Sequence, residues 1–376
     1  MDPNKYDIAI IGGGLAGLTL SIQLVRLGFS VILFEKEEYP FHKVCGEYIS
    51  MEAWQHLVNL GLPLDQMQLP VISRLVLTAP SGKKLSAELD LGGFGISRYK
   101  IDNHLKDIAL NAGVRVLQNC KAEPPGYDGD MFTIKTNQDT FFSKVCCGSF
   151  GKRSNIDIKW NRRFASGKKN KLNNYVGVKY HIMSNIATDT IGLHNFEGGY
   201  CGVSAIEDNK YCLCYLTNAE NLVNAGSIDK LEEKILAQNP HLEKLLKEST
   251  RLTSPVTISQ ISFDKKSQVE DHVILIGDAA GMITPLCGNG MSMAMHASKI
   301  ASVHIARFLS GKISREEMEA AYKINWHKEF AKRLLMGRMI QRFFGKAWLT
   351  NIFVGMMKKL PWITKKIIAQ THGAPF

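Results

Sequence analysis

One stretch near the start of the chain constrains the fold more than any other. Tyr6-Asp7-Ile8-Ala9-Ile10-Ile11-Gly12-Gly13-Gly14-Leu15-Ala16-Gly17 is an apolar strand pattern that runs into a glycine turn and then a helix pattern ending at Gly28. A second strand pattern at 30–35 closes on Glu35 and Lys36. Gly12 permits the tight turn out of the strand, Gly14 lets backbone approach a pyrophosphate, and Gly17 lets the helix pack close to the strand. The helix N-terminus at Leu15 and Ala16 then offers free N–H groups and a partial positive charge to an anion. Glu35 lies about 20 residues beyond the glycines, where a carboxylate accepts hydrogen bonds from ribose hydroxyls and disfavours a 2′-phosphate. A glycine turn that binds nothing is the bland alternative; strand, helix, strand and acid in succession argue against it.

A second segment decides which dinucleotide. Val273-Ile274-Leu275-Ile276-Gly277-Asp278-Ala279-Ala280-Gly281 is followed by Pro285 and by Gly288-Asn289-Gly290-Met291, which opens a long helix pattern. Asp278 at the end of a strand can hold ribitol hydroxyls, and Asn289 is a candidate cap. A helix N-terminus aimed at the N1–C2=O edge of a flavin stabilises its reduced anion; about 1 kcal/mol there raises a two-electron potential by roughly 20 mV. The competing reading of Asp278 is a carboxylate capping its own helix. In this order the two segments read as two halves of an FAD site.

The 376 residues, 45% of them hydrophobic, can bury two cores. The expected class is α/β: a Rossmann-like FAD-binding domain interleaved with a β-sheet substrate domain, plus a C-terminal helical extension. The first takes residues 1–70, 98–160 and 268–311, the second 71–97 and 161–267, and the extension 312–376. Helices are expected at 102–112, 228–248 and 291–309, with a hairpin between Phe132 and Val145. No apolar run reaches the ~18 residues of a spanning helix, and no cleavable leader is read, because the cofactor strand begins at Tyr6. Of the eight cysteines, Cys146 and Cys147 are neighbours and no C-x-x-C occurs, so reduced thiols and a cytoplasmic setting are expected. The net charge of +11 attracts anionic cofactors. No nucleic-acid motif accompanies it.

Gly-x-Gly-x-x-Gly with Glu35, Lys43-Val44-Cys45-Gly46-Glu47, Arg98 and Gly277-Asp278-Ala279-Ala280-Gly281 through Gly288-Asn289-Gly290-Met291 resemble the geranylgeranyl reductase-like flavoproteins of the p-hydroxybenzoate hydroxylase superfamily, over about residues 5–311. The resemblance implies that Gly12, Gly14, Gly17, Glu35, Arg98, Asp278 and Gly290 contact FAD beneath a sheet-based substrate domain. Three departures stand out. The middle motif lacks its acid at Cys147-Gly148-Ser149-Phe150-Gly151-Lys152-Arg153-Ser154, and the isoprenoid reductases' Tyr-x-Trp-x-Phe-Pro run keeps only Tyr200. Gly281 replaces the histidine of aromatic hydroxylases, and the Trp-x-Trp-x-Ile-Pro signature of halogenases is absent.

Catalytic candidates are few. Cys45 lacks a partnering cysteine nearby in the chain, so packing or substrate contact is the stronger reading. Glu47 or Tyr48 could supply a proton to a reduced carbon, and Tyr200 reads first as a sheet aromatic. Cys212 and Cys214 point to one sheet face without a histidine nearby, so no metal site is read. The methionines from Met282 through Met339 read as core or cavity lining. The stretch 343–368 mixes Trp348, Ile352, Phe353, Met356 and Trp362 with Lys346, Lys358, Lys359, Lys365 and Lys366. It can pack on the domain, the favoured reading, or lie on anionic lipid as a peripheral membrane contact.

The expected activity is FAD-dependent oxidoreduction, with NADPH or NADH reducing a double bond in a hydrophobic small molecule. An FAD-dependent monooxygenase is the alternative, and a non-catalytic flavin-binding partner protein the weaker one.

Overall fold

Ile8 to Ile11 are apolar without alternation because both faces of their strand are covered, the signature of a parallel strand inside an α/β sheet. In this computed structural model, which describes residues 2–165, 174–284, 288–371 and 373–376, the strand Lys5–Ile11 lies at the sheet centre. It runs parallel to Val31–Phe34 on one side and to Thr140–Gly148 on the other. Arg115–Leu117 extends the sheet beyond Val31–Phe34, and Val273–Leu275 extends it beyond Thr140–Gly148, both parallel. The strands of the two flavin motifs are thus separated by one strand, and their carboxyl ends open on the same edge, where α/β sheets bind ligands. Phe132–Lys135 turns back antiparallel onto Thr140–Gly148, the expected hairpin.

The second sheet carries Val71–Thr78, Lys84–Gly95, the meander Thr190–Phe196, Gly199–Ala205 and Tyr211–Asn218, and Tyr175–Met183, which pairs with Tyr211–Asn218. Its pairs are antiparallel except Thr190–Phe196 with Val71–Thr78. Tyr48–Ser50, inside the sequence block 1–70, joins this sheet by pairing with the end of Lys84–Gly95. The segment Cys45–Ser50 therefore crosses from one layer to the other.

The helix expected over 228–248 is broken. Ile228–Lys234 and Pro240–Glu248 are separated by a single 3-10 turn. Pro240 has no N–H to donate backwards, so it starts a new helix instead, and the Asn239 side chain caps it by accepting from the His241 N–H at 3.0 Å.

The C-terminal region divides between the two cores. Arg315–Phe343 packs on Gly290–Leu309 and gives Met318, Tyr322, Trp326, Phe330 and Leu334 to the first core. The methionines Met291, Met293 and Met295 are core there, as the sequence implied. Ala347–Lys359 and Pro361–Thr371 lie against the second sheet, where Phe353, Val354 and Met357 cover Leu77, Ala79 and Leu85. The favoured packing is present on that face, yet Trp348, Ile352 and Met356 on the other face stay exposed. Among the described residues no helix is long and apolar enough to cross a membrane.

Candidate flavin site

The first glycine loop is close-packed where the sequence required it and open where a ligand would sit. Gly12 has φ +108°, and a side chain there would begin 2.4 Å from the Ser149 carbonyl oxygen. One at Gly17 would begin 2.1 Å from the Gly12 oxygen, so strand, loop and helix meet through backbone. Gly14 meets only the Arg98 Nη2, at an ordinary 3.5 Å. It is the N-cap of Leu15–Arg26, with no side chain capping the helix and no acid in its first turn. The donors at Leu15 and Ala16 are thus left for an anion, and the loop fits a pyrophosphate.

Glu35 is buried and accepts from the Gly13 N–H at 2.9 Å and the Glu37 N–H at 3.1 Å, so it braces the glycine loop. Lys36 is exposed and pairs with Glu37 at 3.4 Å. Arg98 flanks Gly14 and is held by Asp102 through Nε at 2.8 Å and Nη2 at 2.7 Å. Lys43 reaches the same carboxylate at 3.0 Å and Glu35 at 3.8 Å. Burial pushes the Asp102 carboxyl up, but Arg98 and Lys43 outweigh it and hold the group below its usual range. Asp102 and Tyr39, whose hydroxyl donates to the Gly13 oxygen, had no signal in the sequence; the contacts come from the sheet geometry.

At the second motif Gly277 has φ +62° and opens a 3-10 turn through Ala279. Two buried cations that the sequence reading missed secure this turn. Lys266 donates to the Asp278 carbonyl at 2.8 Å and the Lys152 carbonyl at 3.1 Å, and Arg162 donates to the Ala279 carbonyl at 3.1 Å and to Asp157 at 2.7 Å. Burial pulls the Lys266 ammonium down to about 8, against the pull of Asp278 and Asp157. Both lie in stretches without periodicity, which is why pattern reading passed over them.

Gly281 serves packing: a side chain there would begin 2.8 Å from the Trp326 ring. Asn289 stands at the N-cap of Gly290–Leu309, but its side chain does not close the cap, contrary to expectation. Gly288 has φ +67° and lies against the Tyr48 ring, and Met291 sits 3.5 Å (Sδ to Sγ) from Cys45. Pro285 lies outside the described residues.

The catalytic candidates separate clearly. Glu47 is fully buried at φ +55° and accepts from Lys179 Nζ at 2.9 Å, His181 Nε2 at 2.6 Å and the Arg98 N–H at 2.8 Å. Burial raises its carboxyl, but His181 and Lys179 more than offset this and hold it below the usual carboxylate range. An ionised Glu47 has no proton to give, so the expected donor role fails. The histidine missing beside Cys212 is supplied across the sheet, where His181 is the register partner of Cys212. Glu47, His181 and Cys212 bring ligand atoms within 4.8 Å of one another. The Lys179 ammonium already neutralises that carboxylate.

Cys45 is half-buried, and its carbonyl accepts from the Cys212 thiol at 3.2 Å. Tyr200 is buried among Leu216, Ile261, Phe263 and Met282, the last belonging to the second motif. Tyr48 is buried, its hydroxyl has no hydrogen-bond partner among the described residues, and burial raises its phenol pKa.

Residues 10–58 match the family model of an NAD(P)-binding Rossmann-like domain. The chain is 25% identical, over 88% of its length and 84% of the relative's, to the digeranylgeranylglycerophospholipid reductase of Methanococcus vannielii. It is 22% identical to conditioned medium factor receptor 1 of Dictyostelium discoideum, over 91% of this chain and 71% of that one. The solved structure of a flavin-dependent brominase superposes with a TM-score of 0.79 at 20% identity, covering 99% of this chain and 94% of the other. The α/β architecture with its two sheets is the fold of that flavoenzyme.

Proposed function

We propose that this chain, an FAD-dependent oxidoreductase resembling the geranylgeranyl reductases, reduces a double bond in a hydrophobic substrate, of isoprenoid, lipid or polyketide-like character, with NADPH or NADH as donor. The observation that carries the substrate class is the buried cluster of Tyr200, Leu216, Ile261, Phe263 and Met282. It joins the substrate sheet to the second motif with apolar side chains, and apolar ligand surface that packs beside such a wall gains by leaving water.

Gly12, Gly14, Leu15, Ala16 and Gly17 would hold the pyrophosphate of FAD, Glu35 the ribose, and Asp278 with the Gly288–Met291 turn the flavin end. Bound there, the cofactor supplies hydride transfer between nicotinamide and substrate carbon. Arg98, fixed by Asp102, stands beside Gly14 as a charge against the phosphates. Lys266 and Arg162 keep the Gly277–Ala279 turn in shape through its carbonyls. Tyr48 keeps its proton at neutral pH because burial disfavours the phenolate, and one edge of its ring lies against Gly288, beside the flavin loop. It is the group we assign to protonate the reduced carbon.

Anaerobic reduction by NADPH or NADH, followed by mixing with unsaturated lipid, isoprenoid or polyketide ligands, tests the reading. Rapid anaerobic reoxidation by one of them supports it, and Tyr48→Phe should slow that step while leaving reduction by the nicotinamide unchanged. Reoxidation only by oxygen, with an absorbance transient and a hydroxylated product, would move the function to the monooxygenase reading. Flavin that no ligand and no nicotinamide affects would leave the non-catalytic partner.

A further inference from the structure

The charge of this chain is not spread over it. The last acidic residue is Glu329, and nine of the 46 lysines and arginines follow it; the remaining 37 face 35 acidic residues in the rest of the chain. Nearly all of the +11 therefore belongs to residues 330–376.

The same segment carries the exposed apolar surface. Leu335, Met339 and Phe343 recur every four residues along the end of Arg315–Phe343, and Trp348, Ile352 and Met356 recur likewise along Ala347–Lys359. Trp348 and Trp362 are 62% and 65% exposed, the two exposed tryptophans among the described residues. Thr350, Phe353, Val354 and Met357 bury the opposite face of Ala347–Lys359, so the helix is anchored and its outer stripe, about 12 Å long, faces outward. Lys346, Lys358, Lys359, Lys365 and Lys366 are all exposed around it.

We propose that this face docks the protein on an anionic lipid surface, with the Ala347–Lys359 stripe and Trp362 in the headgroup region and the lysines on lipid phosphates. Indole and aliphatic side chains ringed by lysine, on a segment with no acidic residue of its own and with only the Glu197 carboxylate seen at the helix start, where it accepts from the Ala347 N–H, match the chemistry of a headgroup boundary. Lysine stems cover apolar surface while their ammonium groups reach the phosphates. A second copy of the chain fits poorly, because an isologous contact would set the same basic patch against itself. The face also lies one layer from the cofactor motif: Ile368 packs in the cluster of Tyr48, Ile72 and Leu89, and Tyr48 rests on Gly288. Docking would bring a lipid-dissolved molecule to the rim of the substrate sheet, but the inference stands without any particular reaction.

Co-sedimentation of the flavin-loaded full chain with phosphatidylcholine vesicles, alone or mixed with phosphatidylglycerol, tests this. Binding is expected to the mixed vesicles only, with tryptophan emission shifted to the blue and affinity falling as salt rises. Each lysine at such a surface multiplies affinity about fivefold. The joint replacement Lys358→Gln, Lys359→Gln, Lys365→Gln, Lys366→Gln should therefore weaken binding about a hundredfold or more. Independently, Trp348→Ser with Ile352→Ser should weaken binding and reduce the emission shift to the part that Trp362 carries, with flavin content and circular dichroism unchanged in both variants. Failure to bind anionic vesicles overturns the proposal, as does binding that neither variant weakens. So does lipid-free dimerisation abolished by Trp348→Ser with Ile352→Ser, or preferential capture by a single-stranded oligonucleotide.

Discussion

Replacing Glu47 by Gln asks whether the buried ion cluster between the two sheets holds the layers together. Glu47 and Lys179 are 0% and 1% exposed, 2.9 Å apart, and the same carboxylate accepts from His181 and from the Arg98 backbone. Glutamine keeps the shape but presents an amide NH2 to at least one donor and leaves the Lys179 ammonium buried without a counter-charge. Removing one partner of such a pair costs roughly 3–5 kcal/mol, most of it the stranded charge. The cost should be largely recovered in Glu47→Gln, Lys179→Met, because that variant removes the charge as well; the pair should thus couple by more than about 1 kcal/mol.

The pH dependence follows from the lowered carboxyl. With its folded pKa below the ordinary 4.5 of a glutamate, Glu47 adds stability that is complete above about pH 5.5 and lost as pH falls through the folded value. Urea unfolding monitored by circular dichroism at a series of pH values reads both effects. The difference between wild type and Glu47→Gln should be constant near neutrality and shrink below pH 4.5. A cost under about 1 kcal/mol at pH 7, or single-variant costs that simply add, would show that the cluster contributes no net cohesion.

Other consequences are more local. Gly12→Ala must push the Ser149 carbonyl and adopt φ +108°, so it should abolish flavin retention as read from the visible absorbance per protein, whereas Gly14→Ala, with only a 3.5 Å contact, should weaken it and leave the fold intact. Lys266, with its folded pKa near 8 against an unfolded 10.5, binds fewer protons folded than unfolded between those values; stability should rise with pH across that window by about 3 kcal/mol, and Lys266→Met should flatten the rise in urea titrations. Gly281→Ala should cost about 1–3 kcal/mol by crowding Trp326, and Trp326→Leu in the same chain should relieve part of it; additive costs in thermal melts would rule out the contact.

Much of the first sheet was legible because its signals are local. The unalternating Ile8–Ile11 run, the glycines at 12, 14 and 17 and the acid at Glu35 each answer a backbone requirement of neighbouring residues. The hairpin at Phe132–Gly148 and the helix after Gly290 were readable for the same reason. The break at Pro240 was readable too, since a proline inside a helical pattern ends it, yet the apolar periodicity on both sides hid it.

The chain's order of residues alone determined that two glycine-bearing strand ends exist and that they carry the chemistry of a dinucleotide. It could not reveal what Glu47 faces, because Lys179, His181 and Cys212 reach it from strands far along the chain, paired by sheet register. Nor could it place Lys266 and Arg162 under the Asp278 turn, Trp326 over Gly281, or one face of Ala347–Lys359 on protein and the other in solvent. Short-range sterics and hydrogen bonding are written residue by residue. Burial, charge compensation and the resulting pKa values depend on which distant side chains the folded layers bring together, and only the tertiary structure decides that.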